Sequence, residues 1–177
     1  MILGRRSLRE MTGQTIKNED LMPLFEAARW APSHFNTQTW RFVYAKRDSK
    51  LWEQYLNVLS PGNRKWAQNA GVLMVVLSKK SSNYKGKKEF IPSHSFDTGS
   101  AWMAMALEGT ARGLVVHAMG GFEKEKAAAM IGLKSDDYQI EIMIAVGYRD
   151  KKAKEKTTLR NEIEKFISEG VFTEKLP

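Results

Sequence analysis

The chain has 177 residues, of which 42% are hydrophobic, 27% are charged and none is cysteine. That length suits one domain, spanning 1–177, with a substantial core. The lack of cysteine excludes disulfides, thiolate metal sites and a cysteine nucleophile. The net charge of +8 would attract nucleic acid, anionic lipid or a phosphorylated small molecule, so the placement of the basic residues decides what the charge is for.

The chain opens MILGRRSLREM, where Arg5, Arg6 and Arg9 surround Ser7 and only Glu10 opposes them. No apolar run follows this cluster and no stretch reaches ~18 apolar residues, so neither a secretory signal nor a membrane span is expected. A cytoplasmic protein is the simplest expectation. Residues 18–31 predict a helix, with Asn18 as its cap and Glu19 and Asp20 at its positive end. Leu21, Leu24, Phe25 and Ala28 form its apolar face, and Pro32 ends it. Residues 41–46 alternate as a strand, and a short helix follows within DSKLWEQYLNVL.

GVLMVVLS, residues 71–78, is almost wholly apolar and predicts a buried central strand. KKSSNYKGKKE, residues 79–89, reads as a solvated loop because Ser, Asn and Gly interrupt its lysines. Residues 95–114 predict a helix buried on more than one side, capped by Gly113. VVHAMGGF reads as a strand entering a glycine turn, and EKEKAAAMIGL as a helix. Residues 138–149 alternate as a strand with Ile140, Ile142 and Ile144 on one face. DKKAKEK, residues 150–156, then opens a polar and basic tail. Interleaved helices and strands without a linker give one α+β or α/β domain.

Among chemical motifs, the chain has no Walker loop, no G-x-G-x-x-G after a strand and no G-x-S-x-G elbow. His34, His94 and His117 lack metal-ligand spacing, so no metal site is expected, and taken singly each fits a surface or core residue better than a catalyst. One run stands apart. Ser33, His34, Asn36, Thr37 and Gln38 place hydrogen-bonding groups between a helix and a strand, with Trp40 immediately after. Such a loop suits a flat ligand whose polar edges are read by amides and hydroxyls.

Five segments in register carry a resemblance. They are Arg5–Arg6–Ser7–Leu8–Arg9; EAARWAPSHFNTQTW from Glu26 to Trp40; Asp97–Thr98–Gly99; Met119–Gly120–Gly121–Phe122; and Gly147–Tyr148. Over nearly its whole length the chain resembles the nitroreductase family of FMN-dependent NAD(P)H oxidoreductases. That resemblance implies an α+β nitroreductase-like fold with a central, mostly antiparallel sheet flanked by helices. It further implies a homodimer with FMN sites at the interface, and a C-terminal segment that extends the partner's sheet.

The resemblance also implies a set of cofactor-binding residues. Arg5 and Arg9, assisted by Arg6 and Ser7, would hold the phosphate or the flavin's pyrimidine edge, a task suited to the planar guanidinium fork. Pro32, Ser33, His34 and Asn36 would reach FMN from the partner subunit, with Gln38 nearby. Asn63 would touch the isoalloxazine edge, and Met119, Gly120 and Gly121 would lie along the ring. The tail would add Lys154 and Lys156, with Arg160 a looser match. Here lysine replaces the family's arginine and Thr158 its proline. Thr39 likewise departs from the Q-P-W pattern. Phe35 occupies a place where smaller residues are common and would narrow the substrate pocket. The implied reaction is ping-pong. NADH or NADPH reduces the flavin, and a nitroaromatic, quinone or similar small-molecule acceptor reoxidises it, with no side chain named as catalytic.

Two alternatives stay open. One is a specialised flavoprotein of the same family, of dehalogenase, dehydrogenase or flavin-destroying type. The other is a basic nucleic-acid-binding module, which needs aromatic residues interleaved with lysines. The lysine segment offers only Tyr84, so no nucleic-acid partner is expected.

Overall fold

The computed structural model describes residues 2–153, 158–172 and 174. In chain order the elements are α1 (Asn18–Arg29), β1 (Trp40–Lys46), α2 (Trp52–Asn57), α3 (Pro61–Ala67), β2 (Val72–Lys79), β3 (Ser81–Tyr84) and β4 (Lys87–Phe90). They continue with α4 (His94–Ala111), β5 (Leu114–Met119), α5 (Lys124–Met130) and β6 (Tyr138–Tyr148). The main sheet has the order β1-β2-β6-β5, with every neighbouring pair antiparallel. Helices cover both faces, which makes the architecture α+β, as the resemblance implies. Among the described residues no helix is long and apolar enough to cross a membrane.

The apolar run at 71–78 becomes β2, the strand between β1 and β6, and it is buried up to Ser78. Because side chains alternate along a strand, β2 serves two cores. Leu73, Val75 and Leu77 join Met143, Ala145, Val115 and Met119 beneath α2, α3 and α5. Val72, Met74 and Val76 join Ile144, Val146 and Val116 beneath α1 and α4. α4 supplies Ala101, Met105, Ala106 and Gly109, all buried. That fits the small, apolar surface read from its sequence.

Three expectations need correction, and one helix was not expected. In β6 the three isoleucines do not share a face: Ile140 lies in the first core, and Ile142 and Ile144 in the second. The cause is a bulge, since Val76 pairs with Ile142 while Leu77 pairs with Ile140, leaving Glu141 unpaired. One extra residue switches every later side chain to the opposite face. The lysine segment is not a loop but the hairpin β3–β4, turned at Lys85 and Gly86, both with positive φ. Lys80–Asp137 and Ile91–Lys80 backbone hydrogen bonds tie it to the body. The segment PGNRKWA, for which no element was expected, forms α3, a seven-residue helix with proline in its first turn. Finally, Lys17 rather than Asn18 precedes the first turn of α1, and no side chain caps it.

Two features of this layout position the functional residues. β1 and β5 are opposite edges of the sheet, separated by three inter-strand spacings, about 14 Å. The loop before β1 therefore sits at one edge. The N-terminal segment sits at the other, held by the Leu8–His117 hydrogen bond and the Met11–Arg149 bridge.

Gly71 joins the start of β2 to the strand-like approach of residues 14–16. Its N–H donates to the Val146 carbonyl at 2.8 Å. A Cβ placed there would press on the Gln14 carbonyl and lie 2.7 Å from Ile16 Cγ1. The Gly71 backbone cannot retreat without losing its hydrogen bond to β6, so Gly71→Ala is expected to cost about 1–3 kcal/mol. Urea unfolding should show a lower midpoint with an unchanged slope.

Candidate functional site

In the N-terminal segment Ile2 and Leu3 are exposed, whereas Leu8 and Met11 turn inward and leave the charged residues between them facing out. Leu8 packs against the first core and Met11 is buried within it. Between and around them, Arg5, Arg6, Ser7, Arg9 and Glu10 line a cleft of about 450 Å³, together with Leu8, His117, Thr158 and Arg160. The expected basic cluster is therefore one concave surface rather than a solvated stretch. The Arg5 Nη1 donates to Ser7 Oγ at 3.3 Å. Arg6 Nη1 donates to the carbonyls of Leu3 and Arg5, so part of its hydrogen-bonding capacity serves the local backbone. The Glu10 carboxylate accepts from the Arg9 backbone N–H at 3.1 Å. Thr158 and Arg160 bring the tail back to the same cleft. Lys154 and Lys156 lie outside the described residues.

A chain of contacts joins this cleft to the glycine turn. His117 Nδ1 sits 2.7 Å from the Leu8 carbonyl oxygen. The His117 ring packs against Trp66 at 4.5 Å between centroids, and the Arg9 guanidinium lies 5.8 Å from the same Trp66 ring. Trp66 Nε1 donates to Asn63 Oδ1 at 3.3 Å, and Asn63 Nδ2 donates to the Gly121 carbonyl at 3.0 Å. Arg9, Asn63 and Gly121, far apart in sequence, thus belong to one wall. Glycine is required there, since a Cβ on Gly121 would lie 2.7 Å from both Asn63 Nδ2 and Ser60 Oγ. Gly120 is exposed, whereas Met119 is buried in the core and can offer only backbone to a ligand.

The second predicted group does not join this wall within the chain. Among the described residues none of 32–38 lines the basic cleft. The loop instead sits at the β1 edge, pinned to the start of α4. The His34 backbone N–H donates to Asp97 Oδ2 at 3.0 Å, and Ser93 Oγ donates to the same oxygen at 3.2 Å. Ser33 Oγ accepts from the Gln38 N–H at 2.9 Å, and Gln38 Nε2 donates to the Asn36 carbonyl at 3.1 Å. Three non-glycine residues here have positive φ: Phe35 (43°), Asn36 (56°) and Gln38 (47°). Asparagine tolerates that region, but phenylalanine and glutamine pay for it in steric strain. Phe35 is 83% exposed at the tip. The loop is thus strained, held by the buried Asp97, and carries at its tip an exposed Phe35 ring set edge-on against His34 at 4.6 Å between centroids.

His117 and Trp66 were not expected at the site. His117 is half-buried. Burial pushes its imidazole below the ordinary histidine value, Arg9 and Arg5 push the same way, and the Leu8 and Ser7 carbonyls oppose them. His94 is a buried residue at the start of α4, its Nδ1 2.7 Å from Ser78 Oγ. Nearby, burial raises the Glu141 carboxyl, but hydrogen bonds from Ser78, Ser95 and Gln139 outweigh it and leave it below the usual range. Trp40 is core, and Asp97 lies in the first turn of α4.

The family model described as nitroreductase family matches residues 2–148. No curated protein matches the chain. Among solved structures, an oxidoreductase containing FMN is 35% identical, with a TM-score of 0.91 over 98% of this chain and 92% of the other. A candidate nitroreductase in complex with FMN from Desulfovibrio desulfuricans is 22% identical, with a TM-score of 0.78 over 97% and 95%. A candidate NADH dehydrogenase/NAD(P)H nitroreductase from Parabacteroides distasonis is 20% identical, with a TM-score of 0.76 over 96% of each chain. The last two share the fold. The chain belongs to the nitroreductase family.

Asp97→Ala removes the acceptor that fixes His34. Losing hydrogen bonds to a buried charged group should lower the local opening energy of the loop by about 1.5–3 kcal/mol. Hydrogen exchange at residues 34–38 is expected to accelerate by about tenfold or more, well beyond any change in β2.

Proposed function

We propose that this member of the nitroreductase family is an FMN-dependent NAD(P)H oxidoreductase working as a homodimer, with 1–177 forming one nitroreductase-like domain in the cytoplasm. The observation that carries the reading is the continuous wall from the arginine cleft through His117, Trp66 and Asn63 to Gly121. It joins an anion-binding end to a flat end where backbone can approach a ring closely. The 35% identical relative that contains FMN supports the same cofactor.

The donor set fits that group. Arg5 and Arg9 would pair with phosphate oxygens through charge-assisted, two-pronged hydrogen bonds. Ser7 offers a hydroxyl, and Arg6, Arg160, Lys154 and Lys156 would add positive charge. Asn63 has both ends of its carboxamide fixed, so its exposed edge would present a set pattern to the ring. When bound, FMN supplies hydride and electron transfer that no side chain here can perform. The protein's share is to position, to shield from water and to place positive charge near the cofactor.

A partner subunit would complete each site. In one chain the loop of Pro32, Ser33, His34, Asn36 and Gln38 lies across the sheet from the arginine cleft. A two-fold partner would bring its own copy of the loop to that cleft, with Phe35 walling the acceptor pocket. The free β1 edge supports the same arrangement. Apolar grooves flank it, one including Phe42 and Leu133, the other Met22 and Phe25. The tail exposes Ile163, Phe166, Ile167 and Phe172. A partner's tail laid along β1 would cover both sets. Reduced nicotinamide would be the donor and nitroaromatics or quinones the acceptors.

The purified protein, supplied with FMN, should show a flavin absorption band that bleaches when NADPH or NADH is added without oxygen. Arg9→Ala should weaken FMN binding by about 10- to 100-fold, the worth of a hydrogen bond to a charged group. A protein that takes up no flavin would overturn the assignment.

A further inference from the structure

We infer that His117 is a cofactor-linked proton acceptor, a neutral imidazole in the basic cleft that becomes a cation when a phosphate-bearing cofactor binds. The inference rests on the FMN reading above and assigns a role to a residue that reading does not require.

The tautomer follows from geometry. A carbonyl oxygen can only accept, so the 2.7 Å contact between His117 Nδ1 and the Leu8 oxygen requires a proton on Nδ1. In the neutral ring Nε2 then holds the lone pair. Trp66 packs against the ring and brings no charge. The charged groups around it come from the N-terminal segment and the tail. Among the described residues, Arg5, Arg6, Arg9 and Arg160 share its cleft with one carboxylate, that of Glu10, which accepts from the Arg9 backbone N–H.

Two opposed influences therefore meet at one ring. Burial and the Arg9 and Arg5 guanidiniums disfavour a charged imidazole, while the Leu8 and Ser7 carbonyls favour it. Without an anion the first set wins, and His117 is neutral at pH 7. A phosphate in the cleft would cancel the field of Arg5 and Arg9 and leave the two carbonyls in place. The imidazole's proton affinity then rises. The sign is fixed by linkage: between its lower free value and its higher bound value, binding takes up one proton at Nε2, and affinity grows as pH falls. The ligand works against this, because a phosphomonoester loses its second charge near pH ~6. The histidine contribution must therefore be read as a difference between two proteins.

His117→Asn makes that difference. The asparagine amide can still donate to the Leu8 carbonyl but cannot take up a proton. FMN binding to the full-length protein and to the variant would be measured by flavin fluorescence quenching from pH 8 to pH 6. The ratio of variant to wild-type Kd is expected to rise by about three- to tenfold over that range, within the tenfold per pH unit that one proton allows. NMR of the His117 imidazole in the unmutated protein should show its titration midpoint moving up when FMN is added. That measurement stands even if the variant does not fold. FMN bound with a pH-independent Kd ratio, or with an unmoved midpoint, overturns the role of His117 while sparing the cofactor assignment. Absence of FMN binding at every pH overturns both.

Discussion

The site depends on how the first dozen residues are fastened to the edge of the sheet. This segment carries three guanidiniums, which cannot be buried without heavy desolvation cost. It also carries Leu8 and Met11, which can. The burial of Met11, the packing of Leu8, the Leu8–His117 hydrogen bond to β5 and the Met11–Arg149 bridge just past β6 fix one register at this edge. In that register the arginines gather around a common concavity. Leu8 and Met11 hold the segment down while the arginines stay at the surface of the cleft, so the apolar anchors select the geometry of the charges.

The second constraint is the width of the sheet. Two central strands separate β1 from β5, so the 33–38 loop and the arginine cleft of the same chain lie at opposite edges. That loop is nonetheless held with care. A 5%-exposed aspartate fixes its first turn, and two non-asparagine residues are kept in a disfavoured backbone region. Strain of this kind persists only where the surroundings over-determine it. On the proposed reading the strain and the separation have one explanation: the loop is built for the neighbouring subunit's site. The dimer would then be required by the topology of the site rather than added to it.

Much of this was readable from the chain, and the misses share a cause. The run Val72–Ser78 announced itself because a strand buried on both faces needs no polar residue. The polar run 33–38 and the five spaced motifs marked candidates for the site because each is local. What failed was non-local. The faces of β6 were inverted past Glu141 because a bulge depends on the partner strand, not on the isoleucine spacing. The lysine hairpin has almost no apolar alternation, and its stability comes from backbone ties to Lys80 and Asp137. α3 is only seven residues long, too short to establish a helical period. His117 gave no signal as one histidine in a strand. Its meaning comes from Leu8, Trp66 and Arg9, each more than fifty positions away. The arginines were found from the motif, but their closure into a cleft with Arg160 needed the fold.

The charge itself can now be divided by shape. The lysines of β3–β4 project into solvent, one of them paired with Asp137, and their mutual repulsion is screened within about 8–10 Å by salt. The N-terminal arginines share a concavity walled by protein, where the field is focused and screened less. Keeping like charges together there is unfavourable in the free protein, and Arg9 and Arg5 add to the burial that holds the His117 imidazole below its ordinary value. An anion entering the cleft would gain the attraction of the guanidiniums and also relieve their repulsion. The same arrangement that weakens the empty fold therefore strengthens the occupied one, which is why an arginine cluster held in a concave wall argues for a ligand while a lysine-rich hairpin does not.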